Sequence, residues 1–133
     1  MRIEVKVALL DSQGERFMGA GPMWLLEGIR KTGSIRQAAL ALGMSYAKAH
    51  RLLGRLEQAL GVRLLSRRIG GAEHGGAGLT PEGVEFLERY TRLCQALQAR
   101  ARDEEEAFGA FCSELAARKM PLAQGASEGE ARA

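Results

Sequence analysis

TGSIRQAALALGMSYAKAHRLLGRLEQALG, residues 32–61, decides the fold. Ser34 has an N-cap side chain, and Gln37 three positions on completes a capping-box pattern. Ile35, Ala38, Ala39 and Leu42 then fall on one face of a short helix. Gly43 stands where a left-handed residue ends such a helix, Met44 can plug the turn, and Ser45 caps the next helix. On that second helix Ala49, Leu53, Leu56 and Leu60 form an inward stripe with Leu52 beside it, and Gly61 stops it. A short and a longer helix joined by a tight glycine turn describe a helix-turn-helix. Ala38 and Ala39 are small enough for the two helices to cross closely. The same pattern also suits an ordinary helical hairpin within a bundle, so the outer face has to discriminate.

With Ala49 inward and ~100° per residue, the opposite face carries Ala47, Arg51, Gly54 and Gln58. Lys48 and Arg55 flank it on one side and His50 on the other, with Tyr46 at the N-terminal end. Arg51 and His50 can meet base edges, whereas Lys48 and Arg55 can reach phosphates. Glu57 projects toward the edge, so no acid lies on this face.

Working outward, Ile3, Val5, Val7 and Leu9 alternate with polar or small residues and predict a half-buried strand. Asp11-Ser12-Gln13-Gly14 is turn chemistry, and Arg16-Phe17-Met18 can return as a second strand. Pro22 suits the first turn of a helix with Leu25, Leu26 and Ile29 inside, ending at Thr32-Gly33. Beyond Gly61, Val62, Leu64 and Leu65 predict a strand leading to Arg67 and Arg68. The glycine-rich segment GGAEHGGAG, residues 70–78, reads as a hairpin tip, and Leu79 closes the return strand. This hairpin forms a wing whose arginines suit the sugar-phosphate backbone or a minor groove. A nucleotide-binding loop does not fit, since the segment lacks both Gly-Lys-Ser/Thr and G-x-G-x-x-G.

Thr80-Pro81 opens a fourth helix. Val84, Leu87, Thr91, Cys94 and Ala101 line one face, and Phe86, Tyr90, Leu93 and Leu97 line another. Two apolar faces need two partners, one being the domain core and the other the same helix of a second subunit. Asp103–Glu106 is either the wet side of a continuing helix or the start of a new one, and Phe108, Phe111 and Leu115 resume helical spacing.

Composition agrees with one compact domain plus a helical extension. The chain has 133 residues, 46% hydrophobic and 26% charged, enough for a buried core. Its net charge of +3 is unevenly placed, with 12 Lys/Arg against 5 Asp/Glu in residues 1–68 and 7 against 11 in 69–133. A concentrated basic half is what a polyanion-binding surface requires. No apolar run reaches the ~18–20 residues of a membrane helix, and residues 1–16 lack a signal-peptide core, so a cytoplasmic location is expected.

No catalytic constellation stands out, and an enzyme is not expected. Ser34 and Ser45 are caps, and Glu82, Glu85 and Glu88 read as a solvated helix face. Trp24 suits a core or an interface. His50 and His74 have no ligand partner at metal spacing, and Cys94 and Cys112 make neither a disulfide framework nor a metal motif. No metal and no cofactor are expected.

Residues 32–68, TGSIRQAALALGMSYAKAHRLLGRLEQALGVRLLSRR, resemble the helix-turn-helix of LysR-type regulators and of the DNA-binding domain of ModE-type molybdate-responsive regulators. The leading strand segment, the GMSYAKAHRLL helix and the wing RRIGGAEHGGAGLTPEG favour the ModE type, over roughly residues 3–100. The resemblance implies a mainly α winged helix-turn-helix with a small β component and a long C-terminal dimerisation helix. Residues 1–80 would form the DNA-binding domain, with the helix-turn-helix at 34–60 and the wing at 62–80. Residues 81–118 would form the dimerisation region and 119–133 a disordered tail.

The function so implied is sequence-specific binding of double-stranded DNA at a pseudo-palindromic operator by a homodimeric transcriptional regulator. Ser34, Ser45, Tyr46, Lys48, His50, Arg51, Arg55, Arg67 and Arg68 are the expected DNA contacts. Phe86, Tyr90, Leu93 and Leu97 are the expected dimer contacts. The alternative is a winged-helix module for protein or RNA. The oxyanion-binding domains of a full ModE-type regulator have no counterpart in this chain, so direct molybdate sensing is not expected.

Overall fold

The computed structural model of the chain describes residues 1–67 and 76–118. Arg68, His74 and the expected tail at 119–133 lie outside the described residues. The described residues divide into two compact units, one of residues 5–97 and one of residues 1–4 with 98–118.

In the larger unit, β1 (Leu9–Leu10) and β2 (Arg16–Met18) form an antiparallel hairpin, with Leu9 opposite Met18. Asp11 builds the turn. Its carboxylate accepts from the Gln13 and Glu15 amides, both at 2.9 Å. These bonds, the Glu15 amide's foremost, favour the ionised form and hold the Asp11 pKa below its usual value. The strand expected from Ile3 to Leu9 is shorter than the alternation suggested, because only Leu9 and Leu10 find a ladder partner. Within this unit Val5 and Val7 are half-buried and Lys6 is exposed, so the alternation marked burial rather than pairing.

Helix α1 (Ala20–Thr32) buries Leu25, Leu26 and Ile29. Helix α2 (Ile35–Ala41) buries Ile35, Ala38 and Ala39 and lies against α1. The Ser34 hydroxyl accepts from the Gln37 amide at 3.0 Å, as the N-cap pattern predicted. The second half of the box differs, since the Ser34 amide donates to Thr32 Oγ1 at 3.3 Å. Gly43, at φ 65°, supplies the left-handed residue of the turn. Leu42 stays 37% exposed as the last cap rather than joining the buried face. Helix α3 (Tyr46–Leu60) follows, capped by Ser45 Oγ on the Lys48 amide at 3.1 Å, with Ala49, Leu53 and Leu56 buried.

Strand β3 (Leu65–Arg67) pairs antiparallel with β4 (Ala77–Leu79), and Leu65 faces Leu79. Both ends of this wing are tied to the body. Glu57 Oε2 accepts from the Leu64 and Leu65 amides at 2.8 and 3.0 Å, and the Ala77 amide donates to the Gly33 carbonyl at 2.8 Å. Glu57 is therefore a half-buried anchor of β3 rather than an edge charge.

Helix α4 (Pro81–Ala117) starts where Thr80 Oγ1 accepts from the Gly83 amide at 3.0 Å and donates to the Arg63 carbonyl at 2.8 Å. Gly83 touches the Leu64 backbone so closely that a Cβ would lie 3.1 Å from the Leu64 carbonyl carbon. The acidic stretch 103–106 lies inside α4 and does not open a new helix.

Met18, Leu25, Leu26, Ile29, Leu53, Leu56, Leu64 and Leu87 are central to the core of the larger unit. Tyr90 belongs to that core, and this corrects its assignment to an outward face. It is 4% exposed, and its hydroxyl donates to the Val7 carbonyl at 2.7 Å. Burial, with the Cys94 thiol beside it, raises the phenol pKa to about 12.

In the smaller unit, Ile3 is fixed at both backbone groups. Its amide donates to Glu105 Oε2 at 2.8 Å, and its carbonyl accepts from Gln98 Nε2 at 2.7 Å. Phe108, Phe111 and Leu115 are largely exposed there.

Candidate nucleic-acid interface

The inward stripe of α3 turns its opposite face to solvent. Tyr46, Ala47, Lys48, His50, Arg51, Gly54, Arg55 and Gln58 are all exposed. Arg51 occupies the centre of this face, and among the described residues no hydrogen bond or ion pair engages it. Glu57, the acid nearest in sequence, is spent on the β3 amides. Lys48 also lacks a side-chain partner among the described residues, and it borders a cleft of about 240 Å³ with Arg16 and Arg55. Neither α2 nor α3 has an acid in its first turn, where an acid would offset the positive end of the helix.

Three of the expected contacts, Arg55, His50 and Arg67, are engaged inside the protein. Arg55 Nε donates to the Arg16 carbonyl at 2.9 Å, and its Nη2 lies 3.9 Å from Glu15, so much of its guanidinium is turned to the β1–β2 hairpin. His50 Nε2 lies 3.0 Å from Arg67 Nη1. The Tyr46 and His50 ring centroids are 5.9 Å apart. Ser34 and Ser45 act as caps, each accepting from an amide in the first turn of its own helix.

One residue of this surface escaped the sequence reading. Arg36, in the first turn of α2, lays its guanidinium 4.8 Å from the Tyr46 ring centroid. Its sequence signal was a cation where helices usually prefer acids.

Of the expected dimer residues, Leu93 and Leu97 are each 41% exposed and Phe86 is half-buried. A cavity of about 370 Å³ beside them is lined by Leu9, Glu82, Phe86, Arg89 and Leu93 among others. Among the described residues no group of three His, Cys, Asp or Glu side chains could hold a metal, and no helix is long and apolar enough to cross a membrane.

Residues 23–84 match the bacterial regulatory helix-turn-helix protein family, lysR type. The chain is 37% identical over 82 residues to the molybdenum-pterin-binding protein MopB of Rhodobacter capsulatus, covering 62% of this chain and 30% of that protein. It is 37% identical over 103 residues to the DNA-binding transcriptional dual regulator ModE of Escherichia coli K12, covering 77% of this chain and 38% of ModE. The chain thus spans less than two fifths of either relative. Among solved structures it resembles the CbnR_DBD-DNA complex, with a TM-score of 0.52 and 31% identity over 66% of this chain and 94% of that one. With the capped α2–α3 pair and the β3–β4 wing in place, residues 23–84 are thus similar to the bacterial regulatory helix-turn-helix of the lysR family, and the chain is similar to part of the ModE regulator.

Proposed function

We propose that this chain is a sequence-specific, double-stranded DNA-binding transcriptional regulator that acts as a homodimer. In this reading α3 enters the major groove, and the wing lies on the backbone or in a minor groove. The observation that carries the proposal is Arg51, a central, exposed guanidinium with no partner among the described residues. A structural arginine usually shows its acid, whereas one kept free on an acid-poor helix face suits bidentate contact with guanine. In this reading Lys48, Tyr46 and the wing-root Arg67 supply positioning contacts, with Arg68 expected to continue them. Dimerisation is supported by the solvent-facing Leu93 and Leu97, with Phe86 beside them, which a second α4 would cover.

Selection from a random duplex library, followed by salt-dependent binding to the best site, tests this reading. The expected site has two symmetric halves, and Arg51→Ala loses about 1–3 kcal/mol while relaxing preference at one position of each half. Tighter binding to RNA than to any duplex, or an Arg51→Ala variant with unchanged affinity and preference, refutes it. Sedimentation of a monomer at micromolar concentration refutes the dimer.

A further inference from the structure

Arg36, Tyr46, His50 and Arg67 come from α2, α3 and β3 and touch in series. The Arg36 guanidinium lies 4.8 Å from the Tyr46 ring centroid. The Tyr46 and His50 rings are 5.9 Å apart with 35° between their planes. Arg67 Nη1 closes the series 3.0 Å from His50 Nε2. Arginine has only donors, so His50 Nε2 must accept and the ring proton must sit on Nδ1. The ring nitrogen at the wing side of α3 is thereby occupied within the protein. Among the described residues no acid pairs with His50 or Arg67, and the bond to His50 is the side-chain contact seen at Arg67.

We propose that His50 is a positioning residue: it holds the wing-root Arg67 against α3 in the pose that meets nucleic acid, and it does not itself read a base. Tyr46, with Arg36 over its face, limits the rotation of the imidazole. A long side chain ordered before binding loses less freedom on docking, so the contact raises affinity without adding an interfacial bond. Recognition helix and wing then present their cations as one surface. The proposal rests on the DNA-binding reading above.

The test is a double-mutant cycle on a selected duplex site, using wild type, His50→Ala, Arg67→Ala, the double variant and His50→Gln. Circular dichroism checks that each is folded. His50→Ala and Arg67→Ala are each expected to weaken binding about two- to tenfold, the scale of ordering one side chain. The double variant should bind no more weakly than Arg67→Ala. His50→Gln, whose amide oxygen can accept from Arg67, should recover most of the loss, and His50→Ala should select the same site as wild type. Additive losses, or a changed base preference in His50→Ala, overturn the proposal, because either means that the ring contacts DNA itself.

A readout independent of DNA comes from the ¹⁵N shifts of the His50 ring in the free protein. They should report a protonated Nδ1 with an accepting Nε2, and should move when Arg67 becomes alanine. Shifts indifferent to Arg67→Ala overturn the contact. Wild-type protein that binds no duplex overturns the functional reading and the role with it, while responsive ring shifts would leave the contact as a feature of the fold alone.

Discussion

Replacing Gly54 by alanine adds one methyl group in the middle of the exposed face of α3. Inside the protein the change has nothing to meet, because a Cβ built there finds no atom within 4 Å. The backbone at Gly54 is not among the positive-φ glycines, so alanine adopts it without strain. Helix propensity then sets the sign, and Gly→Ala in a helix interior stabilises by ~1 kcal/mol. For a domain of about 60–100 residues that raises the melting temperature by roughly 4–8 °C. DNA affinity should move the opposite way. If this turn lies against the floor or wall of the major groove, an added methyl overpacks the interface at a cost of about 1–3 kcal/mol. That corresponds to roughly five- to 150-fold weaker binding. Thermal unfolding and fluorescence-anisotropy titration on the same preparation measure both effects. A higher melting temperature with unchanged affinity would refute the docking of α3 at this turn. A lower melting temperature would refute the premise that Gly54 sits in a free, regular helix.

Three further substitutions probe the frame behind the interface. Gly83→Ala forces a methyl onto the Leu64 backbone, where no side chain can yield, and should destabilise by about 1–3 kcal/mol in urea unfolding; an unchanged midpoint counts against that close approach. Glu57→Ala leaves the Leu64 and Leu65 amides without their acceptor and should cost roughly 1–3 kcal/mol, with faster hydrogen exchange at those two amides; unaltered exchange would contradict the anchor. Tyr90→Phe removes the bond to the Val7 carbonyl and should cost ~1 kcal/mol at neutral pH. The Tyr90 phenol ionises near pH 10 when unfolded and only at about 12 when folded, so the unfolded chain releases its proton first as pH rises. This contribution to stability is complete below pH 10 and is lost between 10 and about 12, and Tyr90→Phe should abolish that share of the alkaline decline; identical alkaline profiles would refute it.

The helix-turn-helix was legible because its information is local. Caps, stripes and the turn glycine between Ser34 and Gly61 each act within a few residues, and the structure realises Ser34, Gly43 and Ser45 in those roles. What sequence periodicity could not resolve was set by distant partners. Tyr90 lies one turn beyond Leu87 on α4, at the border of two apolar stripes, and its side is decided by the carbonyl of Val7, 83 positions away. Likewise Glu57 is on the flank of α3 by helical angle, but it is claimed by backbone amides that follow the helix. Residues 3–8 alternate like a strand, yet pairing needs a partner edge, and β2 is only three residues long. Arg36 carried no periodic signal at all, and it entered the candidate surface through a ring on a different helix.

The attachments of the wing separate its ends from whatever joins them. Leu65 pairs with Leu79 and Arg67 with Ala77, while Glu57 and Gly33 grip the two strands from the body. The gap between Arg67 and Ala77 is thus fixed by residues outside the connecting stretch. The strand that carries Arg67 is therefore set by the helix-turn-helix frame, so a change at Glu57 or Gly33 would be felt on the wing as a change in where that cation is presented.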